Sequence, residues 1–385
     1  MLKKDGSVWA TGINLYGQLG DGSRRNDASE FEEVLSQGVM AVAAGGAHSM
    51  VLKKDGSVWA SGRNKFGQLG DWTNTDRHEF VKVEVPIAKA VAVGAKHSLV
   101  VTRDGRVWST GSNSYGQLGY RRDDDESMTH TFVKVPAHCC NAKAVAAGSE
   151  HSMVLNQDGS VWTAGFNDDG QLGDGTTVSK YHFVKIAPSD VTEMAAGGYH
   201  SMVLQKDSSV WTVGDNRFGQ LGDGSRTSRH SMQMVVVNAV AIAAGMDHSI
   251  VLGLDGSVRV TGRNNRGQLG DGTTVSKNVF SQIIHSGVHV VAAGAWHSMV
   301  LAQHNSIWAT GINEYGQLGY GLPEGSETKF IRVSSATRGA WCMSMYVYVC
   351  MYVCMYMCAW CVVLWASRIY NITMGLYSAV PGLVL

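Results

Sequence analysis

The amino-acid sequence predicts an all-β protein: a seven-bladed β-propeller of four-stranded blades over residues 1–333, with an incomplete seam where the ring closes. Three observations lead there. A glycine motif, first read at Gly12-Ile13-Asn14-Leu15-Tyr16-Gly17-Gln18-Leu19-Gly20, returns six more times. Its central glycine recurs at Gly67, Gly116, Gly170, Gly219, Gly267 and Gly316, in steps of 50, 49, 54, 49, 48 and 49 residues. Each interval carries short apolar runs without helical periodicity. A fixed period of this size marks a tandem array whose units bury their apolar faces on one another, and four short strands per unit are the pattern of a propeller blade.

The second unit shows the elements in order. Ala90-Val91-Ala92-Val93 is a short apolar run ending at Gly94, and His97-Ser98-Leu99-Val100-Val101-Thr102 follows. Asp104-Gly105 then leads into Val107-Trp108-Ser109-Thr110-Gly111. Two apolar runs joined by Asp-Gly predict a hairpin, on the expectation of a type I′ turn with positive φ at both central residues. Matching turns stand at Asp5-Gly6, Asp55-Gly56, Asp158-Gly159 and Asp255-Gly256, with weaker versions at Asp207-Ser208 and His304-Asn305. Runs such as Phe80-Val81-Lys82-Val83 and Phe132-Val133-Lys134-Val135 supply the fourth strand. Trp9, Trp59, Trp108, Trp162, Trp211 and Trp308 recur at one place and are expected to pack between blades; Arg259 breaks the series. The glycine motif is punctuation, its glycines allowing close backbone approach while Asn and Gln serve turn amides and carbonyls. A phosphate cradle would need a helix after the loop, and polar loop follows instead.

Composition narrows the function. Thirty-two basic residues balance 32 acidic ones, which gives no support to nucleic-acid binding, usually marked by a basic stripe, and no direct nucleic-acid partner is expected. Met1-Leu2-Lys3-Lys4-Asp5 has no apolar h-region, which predicts a cytoplasmic or nuclear location. Only Cys139 and Cys140 lie in the array; five further cysteines crowd into 342–361. That is no disulfide framework, and a reducing compartment is expected.

The two ends break the pattern. Met1-Leu2-Lys3-Lys4-Asp5-Gly6 aligns with Val51-Leu52-Lys53-Lys54-Asp55-Gly56, so the array opens inside a strand. Seven glycine motifs therefore face six Gly-x-x-His-Ser motifs, at His48, His97, His151, His200, His248 and His297. Residues 334–345 are the candidate closing strand: Gly339-Ala340-Trp341 matches Gly294-Ala295-Trp296, though Cys342-Met343 replaces His-Ser. From Gly339 to Ser367 no residue is charged, and such a stretch is long enough to span a bilayer. The favoured reading is different. Met351-Tyr352-Val353-Cys354 nearly repeats in Met355-Tyr356-Met357-Cys358, which is what a tandem ATGT tetranucleotide encodes in every frame. The same repeat explains the spacing of Cys350, Cys354, Cys358 and Cys361, four thiols that would otherwise suit zinc. Deleting 346–385 is then expected to leave solubility unchanged or better and stability within about 1 kcal/mol of the full chain. Flotation of the full chain, and not the truncated one, with lipid vesicles would establish an anchor instead.

The repeats Ala-Ala-Gly-x-x-His-Ser, Asp-Gly-x-Val-Trp and Gly-x-Asn-x-x-Gly-Gln-Leu-Gly resemble the regulator of chromosome condensation repeat over residues 1–333. The resemblance implies a seven-bladed propeller. Members serve as Ran nucleotide exchange factors, as the plant UV-B photoreceptor and as interaction modules in larger proteins. The photoreceptor puts tryptophan at the first x of several Gly-x-x-His motifs; here those residues are Gly46, Ala95, Ser149, Gly198, Met246 and Ala295.

Six equivalent His-Ser pairs around a ring cannot all form a triad, which needs one Ser, one His and an acid at a single point. The histidines are expected to be structural, hydrogen-bonding a loop carbonyl near the channel. No paired-carboxylate or metal signature recurs in the array, so no bond-breaking enzyme, cofactor or metal is expected. Function then lies in what varies. The second x of Gly-x-x-His-Ser is Ala47, Lys96, Glu150, Tyr199, Asp247 and Trp296. In the resembling families this slot lies on one flat face, where the photoreceptor makes dimer ion pairs and the exchange factor places an acid. Lys96, Glu150, Tyr199, Asp247 and Trp296 are therefore the candidate partner-binding residues of a monomeric protein-interaction module, with aromatic residues suited to anchoring. The alternative is guanine-nucleotide exchange on a Ran-like small GTPase, with Glu150 and Asp247 in the relevant slot. A lower-ranked candidate is the charged insertion Tyr120-Arg121-Arg122-Asp123-Asp124-Asp125-Glu126.

Overall fold

The computed structural model describes residues 1–121, 127–136, 141–186, 189–321 and 325–333. Within them lie 26 strands in seven antiparallel sheets. The first sheet pairs β1 (Val8–Ile13) with β2 (Asp27–Leu35). The second runs in simple order through β3 (Val39–Ala44), β4 (His48–Lys53), β5 (Val58–Gly62) and β6 (Arg77–Val83). Five more four-stranded sheets of that design span 88–134, 142–186, 191–236, 239–284 and 288–332. The molecule is thus an all-β propeller of four-stranded blades, six complete and a seventh partial. The candidate closing strand 334–345, most of the charged insertion (122–126), Cys139, Cys140 and the tail from 346 lie outside the described residues.

The hairpins form where Asp-Gly stands, but by a different turn. Gly56 donates to the Lys53 carbonyl at 2.9 Å and Lys53 donates to Ser57 at 2.9 Å. Only Gly56 has positive φ, at 85°. This is a three-residue loop, an ordinary turn over Lys54-Asp55 closed by a left-handed glycine, not the two-residue type I′ loop. Asp55 braces the turn from its side chain, where the carboxylate accepts from the Ser57 amide at 2.8 Å and hydroxyl at 2.7 Å. The Ser57 hydroxyl in turn accepts Trp59 Nε1 at 3.1 Å. The recurring tryptophans are accordingly half-buried. Trp108, for example, packs its ring against the core that Met50, Leu52 and Val58 of one blade share with Val91 and Val100 of the next. Where glycine is missing, Ser208 and Asn305 take the left-handed conformation themselves.

The glycine motif joins each blade to the following one. Asn64 Oδ1 accepts the Leu69 amide at 3.0 Å, while its Nδ2 donates to Asp71 at 2.8 Å and to the Thr73 carbonyl at 3.0 Å. Gln68 Oε1 accepts the Phe66 amide at 2.9 Å. Thr110 of the next blade donates to the Gly67 carbonyl at 2.9 Å.

The same contact crosses the seam. Thr11 donates to the Gly316 carbonyl at 2.8 Å, and Gly321 donates to the Ser29 carbonyl at 3.0 Å. Met1 and Phe31 pack on Leu301, Ile307 and Leu318 of the last blade. The outer half of the ring is therefore continuous across the seam. The inner half differs. Leu2 bridges Val8 as a remnant of the second strand, and among the described residues the first blade shows two paired strands only.

Candidate functional site

The histidines of the loop face depart from expectation. Each is expected to bond a loop carbonyl; five instead reach a serine of the following blade. Nε2 of His48, His97, His151, His200 and His248 meets Oγ of Ser98, Ser152, Ser201, Ser249 and Ser298 at 2.8, 2.9, 3.0, 2.9 and 3.0 Å. Those hydroxyls donate to the carbonyls of Gln68, Gln117, Gln171, Gln220 and Gln268 at 2.6–2.8 Å. A hydroxyl has one proton, so with it on the carbonyl the imidazole must be the donor. This fixes the Nε2–H tautomer and leaves Nδ1 unprotonated, buried and without a partner among the described residues. Burial alone lowers His48 to about 3; burial with its two histidine neighbours does the same to His97. Burial lowers His200 only to about 4, because Asp215 opposes it. Such groups neither accept nor release protons near neutrality. They are fasteners between blades, not general bases.

The residues that differ between blades lie at the same end of the sheets as these fasteners. Every Gly-x-x-His turn is tied to the segment after the third strand: the amides of Arg63, Ser112, Phe166, Asp215, Arg263 and Ile312 donate to the carbonyls of Ala47, Lys96, Glu150, Tyr199, Asp247 and Trp296 at 2.8–3.0 Å. Each complete blade thus sets a pair of variable positions side by side. Sequence reasoning found one row and missed the other, the x of Gly-x-Asn. Its signal was available, since that position varies just as freely inside the motif.

Side chains of successive blades touch. Lys96 Nζ lies 3.1 Å from Glu150 Oε1. Tyr199 stands next along the arc, its phenol pushed up by burial first and then by Glu150, Tyr115 and Asp169. Tyr115, Phe166 and Tyr199 form an edge-to-face ladder with centroids 4.8 and 5.8 Å apart. Asp215, fully buried, holds Arg217 through Nε at 2.9 Å and Nη2 at 3.0 Å. Asp247 pairs with Arg263 at 3.0 Å and is only 7% exposed. Its carboxyl is raised by burial, with Arg263 opposing. Trp296 is 42% exposed and takes no part in these contacts. The structure therefore brings Lys96, Glu150 and Tyr199 together, places Asp247 further along the arc as a buried ion pair, and leaves Trp296 apart beside the seam. Among the described residues no group of three His, Cys, Asp or Glu is arranged to hold a metal, and no helix is long and apolar enough to cross a membrane.

Blades stacked through a glycine motif and capped by variable loop pairs define a repeat propeller. The profile of the RCC1-like domain matches residues 1–280, and that of the regulator of chromosome condensation (RCC1) repeat matches 288–317. The chain belongs to the RCC1-like domain family. Among solved structures it is similar to human WBSCR16, with a TM-score of 0.77 and 24% identity over 85% of this chain and 94% of that one. Prp20p of Saccharomyces cerevisiae gives a TM-score of 0.75 and 22% identity over 86% of each chain. Yeast RCC1 (Prp20) bound to Kap60 gives 0.74 and 21% over 86% and 85%. At these identities the likeness establishes the fold. No curated protein sequence matches the chain significantly.

Proposed function

We propose that this protein is an interaction module that binds a protein partner through the loop face carrying Lys96, Glu150, Tyr199, Asp247 and Trp296, and that its ring has seven blades. One observation supports the reading: a recurrent frame of glycines, fasteners and turn carboxylates sets two variable positions per complete blade side by side at one end of the sheets. Half-buried aromatic residues beside ion pairs are the composition of a binding hot spot. Family membership is consistent with this role, and no bond-breaking step is involved.

The test uses paired variants on either end of the blades. Combined Lys96→Ala, Glu150→Ala and Tyr199→Ala should abolish capture of the partner, with Tyr199→Ala alone costing about 2 kcal/mol or more as an aromatic anchor. Ile87→Ala and Leu254→Ala, exposed at the Asp-Gly end, should leave capture unchanged. The reverse result would move the site to the other end. Asp247 needs the softer change Asp247→Asn, because alanine would remove the hydrogen-bond acceptor that Asp247 offers to Arg263.

A second reading, exchange on a Ran-like small GTPase, is favoured by Glu150 and Asp247 occupying one slot in adjacent-but-one blades. The Prp20p structure is described together with binding to Gsp1p and histones. Release of fluorescent GDP from such a GTPase, accelerated by this chain and slowed again by Asp247→Asn, would support it. Unchanged release at saturating protein would leave the binding module alone.

A further inference from the structure

Several aromatic residues of the loop face carry a cation of the same face. Arg63 lies 4.9 Å from the Tyr16 centroid and 5.9 Å from that of Phe66. Lys96 lies 5.5 Å from Phe66, and Arg263 4.6 Å from Phe218. The Tyr115–Phe166–Tyr199 ladder is different. Among the described residues no cation lies over any of its three rings. Lys96, the nearest basic residue in the same row, is turned to Glu150 instead.

Carboxylates gather beside this ladder. Asp168 is exposed and Asp169 half-buried, both in the glycine motif of the blade that supplies Phe166. Among the described residues neither forms an ion pair. Asp169 is raised by burial first and next by Asp215, with Arg217 opposing; its charge also bears on the Tyr199 phenol. Arg217 is already held by two bonds to Asp215. In most glycine motifs the position of Asp169 carries an aromatic residue, as in Tyr16, Phe66, Tyr115, Phe218 and Tyr315. Here an acid replaces it, while the aromatic ring moves to the x of Gly-x-Asn as Phe166. The outcome is an aromatic surface edged with negative charge, the complement of the Arg63 arrangement.

We propose that the Tyr115–Phe166–Tyr199 ladder, with Asp168 and Asp169 at its edge, receives an arginine side chain of the protein partner. This rests on the loop face being the binding face and names the chemistry that face selects. A guanidinium fits better than an ammonium, because its flat surface stacks on rings while its edge pairs with a carboxylate. It would do from outside what Arg63 and Arg263 do from within.

The probe is N-acetyl-arginine amide, compared with N-acetyl-citrulline amide, which has nearly the same shape without the charge. Protein labelled with 3-fluorotyrosine reports through Tyr115 and Tyr199, whose resonances are assigned with Tyr115→Phe and Tyr199→Phe. Arginine should shift both resonances saturably and bind at least about fivefold more tightly than citrulline, as expected of a cation on an aromatic surface. Asp169→Asn should remove most of that preference. Phe166→Leu should weaken arginine binding similarly; if that variant unfolds, the polar Asp169→Asn carries the test. Equal responses to arginine and citrulline, or an undiminished preference in Asp169→Asn, would overturn the proposal. Should Lys96, Glu150 and Tyr199 variants lose the partner while arginine and citrulline behave alike, the arginine site falls and the binding face stands. An intact arginine preference beside unchanged partner capture keeps the cation site and removes the face from partner binding.

Discussion

Lowering the pH from 7 towards 5 should unfold this protein steeply, because the fasteners between its blades are neutral histidines that cannot take up a proton in place. His48, His97, His151 and His248 are held at about 3 and His200 at about 4. Free histidine titrates near 6.5. His297, which is no fastener, is lowered to about 4 by burial as well, so below about pH 6.5 the unfolded chain binds six protons that the native chain refuses and stability falls as pH falls. The loss begins near pH 6.5 and continues to the native values. Each proton contributes about 1.4 kcal/mol per pH unit; six histidines less about one proton for the oppositely shifted Glu193 leave a net slope of roughly 7 kcal/mol per unit at its steepest. A domain's whole stability is about 5–15 kcal/mol, which places acid unfolding at about pH 5. Physically, a second proton would sit on Nδ1, where no acceptor waits among the described residues and the glycine of the Gly-x-x-His turn crowds the ring. Gly148, for instance, has room for no side chain, since an added methyl would overlap the His151 ring. Glu193 works in the opposite sense. Burial raises it to about 8, so its contribution falls as pH rises from its ordinary range to that value. Urea midpoints between pH 7.5 and 5 measure the slope. His151→Gln keeps a donor toward Ser201 without titrating, and should reduce the slope by about one proton. A flat profile from pH 7 to 5 would mean that the histidines protonate in place.

The array was legible in the sequence because a period fixed by glycine, Asp-Gly and tryptophan needs no tertiary information. Asn64 and Gln68 do inside the motif what their chemistry suggests, since their partners lie within nine residues. What escaped was set by contacts about fifty residues away. The partner of His97 is Ser152, and no local rule says that the serine beside one histidine serves the histidine of the blade before. The Asp-Gly turn was placed correctly and typed wrongly for a similar reason. Asp55 is committed to the Ser57 amide and hydroxyl, which favours the ordinary turn followed by a left-handed glycine. On the loop face, one variable row was read and its neighbour was not, because a position inside a punctuation motif looks structural until its side chain is seen. Phe166, Asp215 and Arg263 all stand there. The burial of Asp247 had no local signal at all: it depends on Arg263, sixteen residues on, folding back across the turn.

Substituting Gly67 should cost far more than substituting Gly38, although both are left-handed, with φ of 72° and 80°. A methyl at Gly38 meets nothing within 4 Å. Its only cost is the left-handed backbone, about 1–2 kcal/mol. A methyl at Gly67 would overlap the Thr129 carbonyl and stand 2.6 Å from the His130 Cα of the next blade. Backbone cannot step aside as a flexible side chain does, so overpacking adds roughly 1–3 kcal/mol to the same strain. Blade separation would follow, because the Gly67 carbonyl also accepts the Thr110 hydroxyl from across the interface. The effect reaches the binding face. Phe66 precedes Gly67, and Arg63 and Lys96 both stack on it, so a displaced loop disorders the first part of the arc while the Tyr115–Phe166–Tyr199 ladder is held by other blades. Gly67→Ala should therefore lower the urea midpoint by an amount corresponding to about 3 kcal/mol or more, with Gly38→Ala losing only the about 1–2 kcal/mol of backbone strain. Equal losses at the two positions would show that backbone strain alone, and not the close approach of neighbouring blades, explains why glycine stands at the centre of the motif.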